Sequence, residues 1–269
     1  MNEFTDIQYT IEGPSAIITL DRPEKLNALT YHTLKEIRTA VDASVNNPDV
    51  VGIVFTGNGR GFCSGLDSQV LADVTSNARP EAEQQEVSED LPGLFSYLLE
   101  VPKPVIAAVN GVAAGGGMIL ALMSDIRIAS TDASLVTVFL KRGLIAEHGS
   151  SWILPRLVGI GRALDLLWMS DKISAEAAHE LGLVEKLAAP EQLMAEACGY
   201  IQRLSENSAP LAIAETKKLV YRHLGVNYLD ALREAEVSQN RFVAAPDASE
   251  GAQALLEKRQ PRFQRFKKA

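Results

Sequence analysis

The chain begins with an alternation of apolar and polar positions that predicts a β-hairpin. Apolar residues alternate with polar ones over residues 7–11, Glu12-Gly13-Pro14 has the composition of a turn, and residues 16–20 form a β-branched apolar run. After Thr30, apolar residues recur at helical spacing to about Asn46. The N-terminal part therefore predicts two strands followed by a helix.

Strand-like and helix-like stretches alternate through the middle of the chain. Apolar runs predict strands at residues 50–55, 105–109, 126–129 and 183–187, and helical patterns cover residues 118–123, 162–169 and 175–181. This alternation is typical of an α/β core with a mostly parallel sheet. The strand signal ends near residue 190, and helical patterns then cover residues 193–204, 211–224 and 229–242. We therefore predict a core over residues 1–195 and a helical region, plausible for oligomerisation, over residues 196–269.

Composition and charge narrow the class of protein. A chain of 269 residues that is 46% hydrophobic and 22% charged has ordinary globular composition and enough length for a sizeable core. Its net charge of −8 disfavours a general nucleic-acid binder. Residues 258–269 are locally basic, which fits either a solvated tail or contact with a phosphorylated ligand. Residues 73–90 are acidic and without apolar periodicity, so we predict a mobile surface segment there.

The N-terminus and the cysteines indicate the compartment. The first residues are partly acidic and lack an apolar leader, and no apolar run reaches the roughly 18 residues that a membrane span needs. Cys63 and Cys198 are far apart and have no metal-ligand spacing. We expect a cytoplasmic protein with reduced thiols and without a membrane segment.

Three glycine-containing stretches fail as nucleotide loops or as a hydrolase motif. In residues 57–62 the third glycine of a dinucleotide fingerprint is replaced by Phe62. Residues 111–118 have the glycine spacing of a P-loop, but Gly117 and Met118 follow where Lys and Ser or Thr are required. In residues 61–65 the serine is one position away from that of a nucleophile elbow.

The glycines at 115–117 instead offer free backbone N–H groups. They stand between the predicted strand 105–109 and the predicted helix 118–123. An N–H at a helix N-terminus has no acceptor inside the helix and lies at the positive end of the helix dipole, so it suits a developing oxyanion. The alternative interpretation is a tight packing turn without chemistry.

Four segments in the correct order resemble the enoyl-CoA hydratase/isomerase (crotonase) family across nearly the whole chain. These are DRPEKLNALT (21–30), GRGFCSGLD (59–67), PKPVIAAVNGVAAGGGMILALMSDIRIAS (102–130) and GLIAEHGSSWILPRLVG (143–159). The resemblance implies a spiral of ββα units with a helical C-terminal region, assembled as a trimer or a dimer of trimers. It also implies an acyl-CoA thioester as substrate, with coenzyme A part of that substrate and no separate cofactor or metal.

The resemblance also assigns site residues. The N–H groups of Leu66 and Gly116 would form an oxyanion hole for the thioester. CoA and acyl contacts would come from Lys25, Leu26, Ala28, Ser64, Gly65, Asp67, Ile119, Phe139 and Phe263, the last one near the adenine and often from a neighbouring subunit.

The expected reaction depends on which carboxylates are present. Ile119 and Phe139 occupy the positions of the two hydratase glutamates, and neither side chain can carry a proton. Glu147 instead matches the single catalytic glutamate of Δ3,Δ2-enoyl-CoA isomerases. A single base suffices for isomerisation, because it removes a proton beside the thioester carbonyl and returns it two carbons away.

Several alternatives remain open. Hydration with Glu147 activating water is the nearest one, and thioester hydrolysis or non-catalytic binding of acyl-CoA belong to different classes. His148 competes with Glu147 as the base, whereas Asp67 is a second candidate acid and Cys63 a candidate nucleophile.

Overall fold

The structure of the chain, a computed structural model, describes residues 4–75 and 93–266. The strands are β1 (Ile7–Glu12), β2 (Ser15–Leu20), β3 (Gly52–Gly57), β4 (Gly61–Cys63), β5 (Val105–Val109), β6 (Val112–Ala114), β7 (Ile126–Ser130), β8 (Ser134–Val136), β9 (Ile173–Ser174) and β10 (Lys186–Ala188). The helices are α1 (Tyr31–Asn46), α2 (Ser68–Thr75), α3 (Gly116–Met123), α4 (Ser150–Val158), α5 (Ile160–Met169), α6 (Ala175–Glu180), α7 (Leu193–Asn207), α8 (Pro210–His223), α9 (Tyr228–Val243) and α10 (Pro246–Glu257).

The strands form two sheets. The larger sheet has the order β1-β2-β3-β5-β7-β10, and the smaller has the order β4-β6-β8-β9. Strands β1 and β2 pair antiparallel, as do β8 and β9, whereas the other neighbours are parallel. The predicted α/β core with a mostly parallel sheet is confirmed.

A repeated ββα unit explains why there are two sheets. In the pairs β3–β4, β5–β6 and β7–β8, the first strand joins the larger sheet and the second joins the smaller one. Each pair is followed by a helix, namely α2, α3 or α4. Successive units therefore stack as turns of a spiral, which is the arrangement that the resemblance implies.

The two faces of the larger sheet pack against different partners. One face belongs to the main core, whereas the other packs apolar residues of β2, β3, β5 and β7 against Leu193, Ala197 and Ile201 of α7. A side chain at Gly52 would meet Ile201 Cδ1 at 2.2 Å, so α7 lies directly on the sheet. Helix α7 crosses the boundary at residue 195 that we predict between core and C-terminal region, and this division stays a prediction.

Helix α8 is joined to the core by a buried ion pair. Lys217 Nζ lies 2.7 Å from Asp125 Oδ2 and also donates to the carbonyl oxygens of Leu98 and Lys103. The Tyr221 hydroxyl donates to the other oxygen of Asp125 at 2.9 Å. Since α8 contains no fully buried residue, this polar joint is its main specific attachment.

Some elements differ from the sequence predictions. The strand predicted at residues 183–187 is only Lys186–Ala188, because the N–H groups of Leu183 and Val184 turn back to the carbonyl of Ala178. Helices α4 and α10 were not predicted, since α4 contains Pro155 and α10 contains Gly251. Strands of two or three residues, such as those of the smaller sheet, are too short to show alternation. The predicted mobile segment 73–90 lies outside the described residues from residue 76 onward.

In the described ranges, no helix combines the length and apolar character that crossing a membrane requires.

Close backbone contact at Gly117 generates a stability prediction. A Cβ atom there would lie 2.1 Å from the carbonyl oxygen of Cys63, so Gly117→Ala must displace backbone and should destabilise the fold by about 3 kcal/mol or more. The matched control is Gly161→Ala in α5, where an added Cβ would meet nothing within 4 Å and stability should stay within about 1 kcal/mol. Urea unfolding measures both. Equal midpoints for the two variants would contradict the close contact.

Candidate active site

The first candidate oxyanion donor follows a glycine with a left-handed backbone. Gly65 has φ +97°, and the next residue, Leu66, forms an isolated parallel bridge with Leu29. Leu29 donates to the Gly65 carbonyl at 2.8 Å, and Asp67 donates to the Leu29 carbonyl at 2.9 Å. Because N–H groups alternate in an extended chain, the Leu66 N–H faces away from Leu29. Among the described residues this N–H has no acceptor.

The second candidate donor opens helix α3. Gly115 has φ +50°, and its carbonyl accepts the first helical hydrogen bond, from Ile119. Gly116 is therefore the first residue of the helix, and its N–H has no acceptor within the described part of the chain. Such an N–H carries the positive end of the helix dipole and attracts negative charge.

The two donors stand on segments that touch each other. A Cβ atom at Gly65 would lie 3.2 Å from the Gly116 nitrogen and 2.9 Å from the Ala114 carbonyl oxygen. Only a glycine at position 65 lets the chain pass this close to the start of α3. The Leu66 and Gly116 N–H groups therefore belong to one small backbone site.

Glu147 lies in the loop immediately before α4. Its carbonyl accepts hydrogen bonds from the Ser150 N–H at 2.9 Å and from the Ser150 hydroxyl at 2.7 Å, which fixes the loop to the helix. The side chain is one-third exposed, and partial burial raises the pKa of its carboxyl. A carboxylate that is less well solvated is a stronger base than an ordinary glutamate.

The Glu147 loop and the start of α3 lie on either side of two consecutive residues, Gly93 and Leu94. A Cβ atom at Gly93 would lie 3.5 Å from His148 Cα, and a Cβ atom at Gly116 would lie 3.4 Å from Leu94 Cδ1. Helices α3 and α4 also pack together, with Met123 Cε 2.9 Å from the Cβ position of Gly149. The fold thus brings the candidate base and the candidate oxyanion donors to the same region.

Ile119 and Phe139 lie in the main core. Their exposed fractions are 0% and 4%, and each packs with other apolar side chains of that core. They supply apolar surface on α3 and just before Gly143, without an ionisable group.

The predicted CoA-contacting residues come from two adjacent loops. Leu26 and Asn27 both have positive φ, and the Ser64 hydroxyl donates to the Lys25 carbonyl at 3.2 Å. Lys25 is exposed, whereas Ala28 is buried. Their contacts with CoA stay a prediction.

Phe263 stands apart from these two loops within its own chain. Its ring lies against Gly251 of α10, with Cε1 3.6 Å from the Cβ position of that glycine.

Two residues that the sequence analysis missed hold these loops together. Arg22 donates to the Ala28 carbonyl at 2.5 Å and lies 3.2 Å from Asp67 Oδ2. Asn27 donates to the Asn58 and Gly61 carbonyls at 3.0 and 2.8 Å. Both belong to the segment DRPEKLNALT, but sequence spacing does not reveal partners more than 30 residues away.

Two of the other candidate chemical groups, Cys63 and Asp67, have structural explanations. Cys63 is fully buried, and burial raises the pKa of its thiol to about 12, so it is a poor nucleophile. Asp67 accepts from the Gln69 N–H and pairs with Arg22, which together hold the pKa of its carboxyl below the usual value. His148 Nε2 lies 3.9 Å from Glu147 Oε2, so it stays close enough to compete as base. In the described residues, no three His, Cys, Asp or Glu side chains gather as metal ligands would.

Known proteins place this architecture in a family. The sequence profile described as enoyl-CoA hydratase/isomerase matches residues 11–266. A probable enoyl-CoA hydratase of Rhodobacter capsulatus is 36% identical over 96% of this chain and 97% of its own, and the 1,2-epoxyphenylacetyl-CoA isomerase of Escherichia coli is 34% identical over 94% and 96%.

Solved structures agree with the sequence comparison. A putative enoyl-CoA hydratase from Streptomyces coelicolor superimposes with a TM-score of 0.88 at 32% identity, covering 98% of this chain and 96% of that one. An enoyl-CoA hydratase from a Polaromonas species gives a TM-score of 0.87 at 34% identity, covering 96% and 99%. The fold is therefore the crotonase fold, and the chain belongs to the enoyl-CoA hydratase/isomerase family of acyl-CoA enzymes.

Proposed function

We propose that this protein isomerises the double bond of an enoyl-CoA thioester, moving it from the 3,4 to the 2,3 position. The observation that carries the proposal is a partly buried carboxylate, Glu147, on a loop that lies near the start of α3, where two backbone N–H groups have no acceptor among the described residues. Ile119 and Phe139 add apolar surface but no second acid or base. This arrangement supports a reaction that needs one base and an enolate-stabilising site.

The proposed step moves one proton and no other group. The thioester oxygen accepts hydrogen bonds from the Leu66 and Gly116 N–H groups. Glu147 removes a proton from carbon 2, and the electron pair shifts onto the thioester oxygen as a dienolate. The protonated Glu147 then delivers the proton to carbon 4, which leaves a conjugated 2,3 double bond and restores the carboxylate. The hydrogen bonds strengthen as the oxygen gains charge, so they lower the barrier.

Hydration of a 2-enoyl-CoA is the second candidate. It is favoured by relatives named as enoyl-CoA hydratases, including the one from Rhodobacter capsulatus. In that reaction Glu147 would deprotonate a water molecule that adds to carbon 3, and the protonated Glu147 would then deliver that proton to carbon 2 of the enolate. A panel of 2-enoyl and 3-enoyl thioesters separates the two, since isomerisation creates the ultraviolet absorbance of the conjugated thioester and hydration removes it. Free thiol would indicate hydrolysis, and binding without proton exchange would indicate a non-catalytic protein.

We further propose a homotrimer or a dimer of trimers in the cytoplasm. Helices α8, α9 and α10 leave large apolar side chains exposed, among them Val237 at 72% and Leu255 at 79%. Exposed apolar surface of this kind is typical of surfaces through which protein subunits associate. Light scattering on the purified protein measures the assembly.

Glu147→Gln should lower turnover by roughly 100-fold to 10,000-fold, because the amide cannot take the proton. The competing base is tested by His148→Asn, which suits the positive φ of 52° at this position. Rates of 3-enoyl-CoA isomerisation decide between them. A larger loss in His148→Asn than in Glu147→Gln would reassign the base.

Gly116→Pro should lower kcat by roughly 100-fold to 1,000-fold, because proline removes the N–H. Proline is accommodated at the first position of a helix, so α3 can still form. Gly116→Ala is the matched control: it keeps the N–H and adds a Cβ 3.1 Å from Cδ1 at the end of the Leu29 side chain. Equal losses in both variants would attribute the effect to bulk and contradict the oxyanion role.

The raised pKa of Glu147 predicts the pH dependence of turnover. The base must be ionised, so kcat should fall as pH drops through this raised pKa, at a higher pH than for an ordinary glutamate. This fall in kcat at low pH should be absent from the residual activity of Glu147→Gln. A fall in kcat near about pH 6.5 that disappears only in His148→Asn would contradict the assignment of Glu147 as the base.

A further inference from the structure

A large apolar cavity lies between the core and the C-terminal helices. Its volume is about 920 Å³, at the upper end of the range of about 300–1,000 Å³ that small-molecule sites occupy. The walls come from residues 96–102, the first turn of α4, and helices α8 and α9. Leu99, Trp152, Ala214 and Phe242 give these walls an apolar surface.

Five of the six charged side chains along this cavity have ion-pair partners, and the sixth is the acidic Glu100. Lys217 pairs with Asp125 at 2.7 Å, Arg241 and Lys218 pair with Glu215 at 2.9 and 3.7 Å, and Arg222 pairs with Glu234 at 2.9 Å. An anionic ligand would have to compete with these carboxylates for the cations. An uncharged apolar chain would break none of these ion pairs, so the lining favours a hydrocarbon.

The cavity wall approaches the loop that carries the candidate base. Trp152 lies in the first turn of the helix that follows Glu147. The Ser96 hydroxyl, also in the wall, lies 3.5 Å from the Cβ position of Gly93, which is itself 3.5 Å from His148 Cα. Gly93 therefore lies between Ser96 in the cavity wall and His148 in the loop of the base.

We propose that this cavity holds the tail of the acyl chain, so that the protein prefers long acyl groups over the four-carbon crotonyl group. The inference rests on the proposed function, because it assumes that the thioester sits between Leu66, Gly116 and Glu147. The cavity's 920 Å³ exceeds what a four-carbon group fills, and a longer chain would cover more of its apolar walls.

Phe266 is the specificity residue at one wall. Its side chain and Pro102 line both this cavity and a small second void of about 10 Å³ bounded by residues such as Val51 and Ile213. The phenylalanine thus separates the two spaces. Phe266→Ala joins them and shifts the preferred acyl length upward, whereas an unchanged length profile in that variant overturns this role.

The main test fills the cavity from α8. In Ala214→Phe, kcat/KM for a 12-carbon enoyl thioester should fall roughly 10-fold to 200-fold relative to that for the 4-carbon thioester. Val220→Phe is the matched control, since Val220 is 56% exposed on the same helix and its variant should keep the wild-type ratio. An unchanged ratio in Ala214→Phe overturns the proposal. So does a changed molar mass in light scattering with an unchanged ratio, which would assign the cavity to a second copy of the chain.

A binding measurement separates this inference from the reaction. Trp168→Phe leaves Trp152 as the only tryptophan, and dodecanoyl-CoA with a terminal bromine should then quench its fluorescence, unlike the unbrominated thioester. Adding Ala214→Phe should abolish the quenching. Quenching without turnover of any enoyl thioester refutes the proposed function alone. Turnover of enoyl thioesters without quenching refutes the cavity assignment alone, and absence of both refutes both.

Discussion

The close approach of two backbone segments is the constraint on which the candidate site depends. Gly65 and the turn at Gly115 to Gly117 meet without side chains between them, and Gly117 packs directly on the Cys63 carbonyl. Any Cβ at Gly117 would separate β4 from α3. Because β4 and β6 are neighbours in the smaller sheet, the same contact joins two ββα units and presents two N–H groups at one point.

In the proposed site, backbone groups and side chains have different roles. In the proposed reaction the backbone would supply charge stabilisation, and backbone groups held by packing need no reorganisation when charge develops. The side chains would then determine where the proton goes. In this chain the positions on α3 and before Gly143 are apolar, so the proposed base is a loop residue, Glu147. Its partial desolvation makes it suited to proton transfer from a weakly acidic carbon.

The sequence predicted the elements in which apolar residues recur at a regular spacing. The hairpin, α1 and the buried strands β3 and β5 all follow from apolar spacing, and the glycine run at 115–117 indicates where α3 begins. The contacts of Gly65 with α3, of Arg22 with Asp67 and of Lys217 with Asp125 join residues far apart in the chain. No local pattern encodes such pairs. The cavity was not predicted for the same reason, since its walls come from five separate segments.

The joint between α8 and the core has a consequence for how the molecule opens in water. Within α8 no residue is fully buried, and α9 and α10 contribute only Ser238 and Ala254 to the buried set. Releasing α8 would separate the Lys217 ammonium and the Tyr221 hydroxyl from the Asp125 carboxylate, and a carboxylate that loses its partner in a partly buried site is destabilising. Because the three helices contribute few fully buried side chains, we expect their amide protons to exchange with solvent through a partial opening that leaves both sheets closed. The cavity walls that α8 and α9 supply would then belong to the less stable part of the chain.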